Sequence, residues 1–469
     1  MALDQEEKTS GAEHFREEGG GPDADFVFEV EAAVALGNSQ RVHELVENLH
    51  EADLGALIES LSHEARPKLV ELMGADFDFT ALMEIGDTTR EDILEELPVK
   101  TLVEGMRDLE SDDAVALLEA LEPEDQAEVL QALPAQERTV LRRSLDYPED
   151  SAGRLMQTTL VVAPPFWTAG KVLDFFRETE ADNLPDSFFE VFVVDPAHHL
   201  LGTVFLDALV RAKPSARLDE IMQEDRRRVK ATEDGAEAAR LFERYNLVSV
   251  PVVDEADRLV GVLTIDDIVD VIQEQASEEI LALGGVNPEE ELTDSFWWIA
   301  RSRFSWLFVN MMTAFITSSV LKAFQSELEQ MVALAVLGPI VAGQGGNSAT
   351  QTMTVAVRAL ATRELTRANA LRIVMRELAI GAVNGAAFGL VTGIVAANWF
   401  QNVGLGPVMA LAMFTNLVAG AFGGIVVPLV ADKLEFDPAV ASGPFVTTIT
   451  DVVGYGAFLT IATLWFHLH

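Results

Sequence analysis

The sequence predicts a multidomain chain of the α + α/β kind: an N-terminal helical superhelix, a duplicated α/β module, a connecting helix and a five-span α-helical transmembrane domain. Three observations carry this. The 469 residues hold 76 acidic and 33 basic side chains, a formal charge of −43, yet 49% of them are hydrophobic and mean hydropathy is positive. The two properties separate along the chain: residues 291–469 carry 10 acidic and 9 basic groups, and residues 1–290 carry 66 and 24. Two internal repeats of different texture then divide the acidic part. The split excludes one uniform globular domain and a disordered chain. It also excludes a nucleic-acid partner, because polyanion repels polyanion. Zero cysteines exclude disulfides, thiolate metal sites and cysteine nucleophiles.

Residues 1–24 read as a disordered leader, with Gly19-Gly20-Gly21-Pro22 between acidic flanks and no apolar core for a cleavable signal. Residues 25–150 read as the superhelix. SDDAVALLEAL, PEDQAEVLQAL and PAQERTVLRRSL recur about 12 residues apart, each opening on a cap-like residue or Pro. Leu118 and Leu121 in one copy answer to Leu130 and Leu133 in the next. Apolar positions three apart give each helix a stripe that only stacking buries. No His, Ser or Gly constellation there suggests catalysis.

Residues 151–271 contain the duplication. VFVVDPAHHLLGTVFLDALV from Val191 aligns with VPVVDEADRLVGVLTIDDIV from Val250 at a constant offset of 59, matching Asp195 to Asp254 and Gly202 to Gly261. Each copy reads strand, turn, strand, helix, and Leu155-Met156-Gln157 upstream resembles Ile221-Met222-Gln223. The pattern resembles a tandem pair of CBS domains, modules that sense nucleotides or ions. The resemblance implies nucleotide contacts from Thr264 and Asp267 in GVLTIDDI, with ATP as a possible regulator. In the first copy Phe205 and Ala208 stand in those places.

Residues 272–295 form a charged connecting helix broken at Gly284-Gly285. Five apolar segments follow, at about 298–323, 331–354, 380–400, 407–431 and 443–467. Each is long enough to cross the roughly 30 Å hydrocarbon core. Arg301 and Arg303 stand at the head of the first, and Arg358, Arg363, Arg367, Arg372 and Arg376 lie between the second and third. Positive residues stay inside, so the acidic domains are expected in the cytoplasm and the C-terminus outside.

Asp451 sits within VTTITDVVGYGAFLTIA in the fifth segment. Placing a carboxylate at a helix centre costs on the order of 3 kcal/mol. Either Thr447, Thr448 or Thr450 satisfies it, or water at the interface does, or it is a cation ligand facing an aqueous pore. One Asp per chain cannot bind a divalent ion dry. Two facing copies in a homodimer suit magnesium, which keeps several waters and uses one or two carboxylates. In the second segment, GPIVAGQGGNSATQT, Gly345 and Gly346 allow close approach or a local break, while Asn347 and Gln351 offer carbonyl oxygens to a hydrated ion. The alternative is plain packing through small residues.

The domain order, with GPIVAGQGGNSATQ in the second span and SGPFVTTITD in the fifth, resembles the MgtE family of magnesium channels and transporters from about Asp25 onward. That resemblance implies a homodimer in the lipid membrane with its pore on the dimer axis, an ion at Asp451, and Thr447 among the pore-lining residues. It also implies that Mg2+ is both transported and regulatory, cytosolic ion bridging the acidic segments to close the pore. The sensor candidates are Asp266, Asp267, Asp270, Glu274, Glu278 and Glu279, with Glu104 from the N-terminal domain. Asp266, Asp270, Glu274 and Glu278 are successively four apart, so like charges oppose each other along one helix face. A divalent ion between domains reverses that repulsion and shifts a splayed-to-compact equilibrium. The alternative is a solvated acidic face suited to a salty cytoplasm. Two other functions stay open: cobalt, manganese or ion-coupled transport on the same fold, and a nucleotide-responsive membrane regulator worked by the CBS pair. No P-loop and no nucleophile with its base points to an enzyme.

Overall fold

The computed structural model describes residues 15, 21–107, 109–179, 184–185, 187–224, 227–288, 290–291, 293–366, 368–434 and 436–468. Arg367 and most of the expected leader, Gly19 and Gly20 included, lie outside the described residues. Phe15 is described, and it is buried edge-on against Phe26. The chain divides into two compact units, Met1–Gln275 and Ala276–His469.

The first unit opens with a run of short helices: α1 (Ala24–Ala35), α2 (Ser39–Val46), α3 (Glu51–Ser60), α4 (Arg66–Met73), α5 (Asp87–Glu96), α6 (Val99–Gly105), α7 (Ser111–Glu119), α8 (Pro123–Ala132) and α9 (Ala135–Leu145). Local chemistry sets their ends. Asp23 caps α1 by accepting from the Asp25 and Phe26 amides, and Pro123 opens α8 where its missing N–H costs nothing. The repeated leucines Leu118, Leu121, Leu130 and Leu133 are all buried in one shared core, as the periodicity requires.

Two matching sheets follow. In one, β1 (Val162–Ala163) lies parallel to β2 (Glu190–Val194), which pairs antiparallel with β3 (Leu200–Phe205); β4 (Val229–Lys230), β5 (Ser249–Val253) and β6 (Leu259–Thr264) repeat the arrangement. The register repeats too: Glu190 faces Phe205 as Ser249 faces Thr264, and a bulge falls at Val193/Val194 as at Val252/Val253. Asp195 and Asp254 build the same turn. Each carboxylate accepts from the amides two and four residues on, with His198 and Asp257 in the left-handed region at φ 65° and 63°.

The leading segments are exchanged. Gln157 precedes the first copy but bridges to Val262 of the second, while Gln223 precedes the second and bridges to Thr203 of the first. A Cβ on Gly202 would stand 2.7 Å from the Gln223 carbonyl, and one on Gly261 would stand 2.8 Å from that of Gln157. The matched glycines therefore make room for the crossing strand.

From Thr264 the chain enters α14 (Ile265–Leu283), numbered after α10 (Ala169–Glu178), α11 (Leu206–Arg211), α12 (Leu218–Ile221) and α13 (Gly235–Tyr245). The second unit holds α15 (Phe296–Ala323), α16 (Gln325–Gln330), α17 (Val332–Ala361), α18 (Ala370–Trp399), α19 (Leu405–Lys433) and α20 (Pro438–Phe466). Among the described residues α15, α18, α19 and α20 are long and apolar enough to cross a membrane, whereas α17 carries Gln344, Asn347 and Gln351 through its middle and does not meet that measure. The helices outrun the apolar segments read from sequence because hydropathy marks the hydrocarbon layer, not the last hydrogen-bonded turn. Along α18, Gly381, Gly385, Gly389 and Gly393 face α19 so closely that a Cβ at Gly389 would sit 2.6 Å from the Ala410 carbonyl. Small residues here substitute for the hydrophobic effect, which gives no drive between helices in lipid.

Candidate ion pathway and acidic sensor

In the second unit α17 and α20 lie side by side. A Cβ on Gly338 would meet the Tyr455 ring at 2.9 Å, and one on Gly346 would stand 4.0 Å from the Thr450 hydroxyl. The helices are therefore antiparallel, and Asn347 and Asp451, each one residue from that second contact but in opposite directions along the axis, lie within about one helical turn of each other. Asp451 is partly exposed. The three threonines that might satisfy it do not. Thr447 and Thr448 donate to the Gly443 and Pro444 carbonyls at 3.1 and 2.6 Å, and the buried Thr450 donates to Val446 and Thr447. Among the described residues the Asp451 carboxylate has no hydrogen-bond or ion-pair partner. Asn347 and Gln351, four apart, are exposed on one face of α17 together with Gly343, and Thr447 is exposed on α20. Gly346 is partly open.

Gly345 departs from the expectation of a pore-lining residue. It is buried against α19, where a Cβ would lie 2.0 Å from the Asn416 amide nitrogen. The helical period explains this, since positions two apart point to nearly opposite sides. No group of three carboxylates or histidines able to hold a metal is found among the described residues, so a single chain offers the ion one carboxylate here.

The acidic candidates of the first unit fall on α14 and on α7. Asp112 and Asp113 occupy the first turn of α7, opposite Asp266, Asp267 and Asp270 in the opening turns of α14. Two bonds dock α7 there: the Thr158 amide donates to the Ser111 hydroxyl at 2.7 Å, and the Gln157 amide group donates to the Glu110 carboxylate. Asp112 is only 8% exposed, and neither of its carboxylate oxygens has a hydrogen-bond partner among the described residues. Burial, with Asp267 and Asp113 close by, holds Asp112 protonated well above the ordinary carboxylate range. Burial first, then Asp266, Asp270 and Glu84, push Asp113 up to about 6. Asp267 rises to about 7, again chiefly by burial, although the Thr264 hydroxyl bonded to it pulls the other way. Glu84 and Asp270 are raised by burial and by their acidic neighbours. The cluster is a set of like charges forced together, offset at Asp113 only in part by Arg90.

Asp266, Asp267 and Asp270 thus belong to the cluster. Glu104 does not enter it: that side chain is exposed and pairs with Lys100 on α6 at 3.5 Å. The N-terminal carboxylates that do face α14 are Asp112, Asp113 and Glu84. Sequence reading missed them because acidic residues in a first helical turn are ordinary complements of the helix dipole. Glu274 lies farther along α14 and is exposed, and Glu278 and Glu279 sit on the part of α14 that belongs to the second unit.

Thr264 and Asp267 bond to each other across the start of α14, a capping pair in which both side chains are engaged. The cleft beside Thr264, lined among others by Gln157, Phe188, Phe192 and Ser249, has a free volume of about 20 Å³. That suits one water, not a nucleotide.

Three family models match the chain: the divalent cation transporter model MgtE over residues 338–461, the MgtE intracellular N domain over 49–150, and the CBS domain over 218–274. The magnesium transporter MgtE of Bacillus subtilis (strain 168) is 30% identical over 437 residues, covering 92% of this chain and 95% of the relative. The magnesium transporter MgtE of Thermus thermophilus is 33% identical over 448 residues, covering 93% and 97%. A crystal structure of the cytosolic domain of the Mg2+ channel MgtE in complex with ATP, 30% identical, matches 52% of this chain and 99% of its own at a TM-score of 0.49. Such relatives move ions and are not enzymes. Sequence, domain models and the helical second unit converge on one assignment: the chain belongs to the MgtE family of divalent cation transporters.

Proposed function

We propose that the chain is a magnesium channel or facilitative transporter of a prokaryotic inner membrane, acting as a homodimer with its acidic domains in the cytoplasm. The observation that carries this is the Asp451 carboxylate: partly exposed, without a hydrogen-bond or ion-pair partner among the described residues, and within about one helical turn of Asn347. Asp451 from each of two copies holds a hydrated ion, while Asn347, Gln351 and Thr447 line its path. Entry runs down the membrane potential, worth about 2.3 kcal/mol per charge per 100 mV. In this reading α17 is the fifth span; its polar middle lines a watery cavity, which relieves the cost of crossing lipid.

The carboxylates Asp112, Asp113, Glu84, Asp266, Asp267 and Asp270 serve as the cytosolic sensor, with Glu274, Glu278 and Glu279 following along the same helix. Cytosolic magnesium neutralises them and favours a closed pore. ATP fits poorly at Thr264 and Asp267, since it would first have to break their capping bond and open the cleft. Magnesium flux into proteoliposomes tests the reading. Asp451→Asn is expected to abolish flux, and high magnesium on the cytosolic side to suppress wild-type flux. Undiminished flux through Asp451→Asn moves the ion site elsewhere.

A further inference from the structure

Asn416, in the middle of α19, is fully buried between the two helices that carry the proposed ion ligands. Its amide Nδ2 donates to the Val341 carbonyl of α17 at 2.8 Å. The same side chain rests on two glycines, one from each helix. A Cβ on Gly345 would lie 2.0 Å from Nδ2, and one on Gly454 of α20 would lie 2.6 Å from it. Gly345 precedes Asn347 by two residues, and Gly454 follows Asp451 by three. The Oδ1 atom, equally buried, accepts no hydrogen bond among the described residues.

We infer that Asn416 is a positioning residue for ion passage, its carboxamide fixing the spacing and level of α17 and α20 and hence of Asn347 and Asp451. The chemistry argues against simple filling. A leucine shares its branched outline, though it is bulkier, and leaves no orphaned acceptor, so filling alone gives no reason for an amide here. Polar groups buried at membrane depth stabilise helix contacts only when their bonds are made, and this one makes half of them. The asparagine gives a directed bond to one carbonyl, which a leucine cannot, and both contacting positions are glycine so that the bond can form.

The inference rests on ions passing Asp451 and Asn347, and the experiment separates the two. Full-length wild type, Asn416→Leu and Asp451→Asn are compared in proteoliposomes for magnesium flux against ion concentration, with thermal unfolding of each. Asn416→Leu should raise the apparent KM for magnesium and lower flux at limiting ion about ten-fold, by more than any change in its unfolding temperature accounts for. A filling residue would instead change stability and leave the KM alone. If Asn416→Leu transports like wild type while Asp451→Asn is dead, this inference fails and the pathway stands. If Asp451→Asn transports normally, the pathway itself fails and takes the inference with it. Should Asn416→Leu not fold, Gly345→Ala and the Gly345→Ala/Asn416→Ala pair decide. Several-fold more flux in the double variant than in the single supports the contact, and equal flux overturns it.

Discussion

Replacing Asp113 by Asn should stabilise the first unit, and only under defined conditions. The carboxyl of Asp113 moves from 3.8 in the unfolded chain to about 6 in the folded one. The folded form therefore binds the proton more tightly, so the favourable contribution is complete below about pH 4 and is lost as pH rises through about 6. Above that window, ionised Asp113 costs roughly 3 kcal/mol, at about 1.4 kcal/mol per unit. Asp267, raised to about 7, loses its contribution over a window reaching about one unit higher, and the two titrate together. In chelator near pH 8, Asp113→Asn removes that cost and should raise the unfolding midpoint by about 6 °C, at about 2 °C per kcal/mol. Near pH 4 the variant and the wild type should unfold together. On the proposed sensor reading, saturating magnesium should narrow or reverse the difference near pH 8, because an ion bound at the cluster would stabilise the wild type by mass action and would have one ligand fewer in the variant. Thermal unfolding of the full chain in detergent, across pH and with or without magnesium, reads all of this. A destabilised Asp113→Asn in chelator near pH 8, or a difference independent of pH, would refute the reasoning.

Other outcomes follow from single contacts. Gly389→Val drives a side chain into the Ala410 carbonyl and should abolish folded protein, by size-exclusion yield, whereas Gly343→Ala meets nothing within 4 Å and should behave as wild type. Arg154→Met strips the Leu145 and Tyr147 carbonyls of donors at 2.9 Å and Glu119 of its ion pair. It should cost about 2–4 kcal/mol and expose the stretch after α9 to protease, with denaturant midpoints as the measure. Calorimetric titration of ATP should give no saturable heat from this cleft, because the Thr264–Asp267 bond keeps it closed.

Much of this was legible beforehand where a period or an offset carried it. The spacing of SDDAVALLE, PEDQAEVLQA and AQERTVLRRSL gave α7, α8 and α9, and the offset of 59 gave two sheets identical in register down to their bulges. Asp451 stood out because a charge in an apolar run is costly. What stayed hidden depends on approach between distant segments. Nothing in SDD distinguishes Asp112 from a helix-dipole complement until α7 is docked on α14. Glu104 has the same composition around it and turns out to face Lys100. Gly345 and Gly346 are neighbours in sequence, yet one meets Asn416 and the other opens toward the Thr450 hydroxyl. Asn416 itself sits in an ordinary apolar run, and only its burial against two glycines marks it.

The exchanged leading segments of the duplicated module have a consequence for folding and inheritance. Each half borrows a bridging segment from the lead-in to the other, with Gln157 on Val262 and Gln223 on Thr203. A half expressed alone would expose a vacant sheet edge and an unmatched glycine trough, inviting a second copy to fill them. The pair therefore folds or fails together, and a lesion in either half disables both. A gene fragment encoding one half could be inherited only as a dimer of itself, the arrangement from which a tandem duplication of this kind would naturally arise.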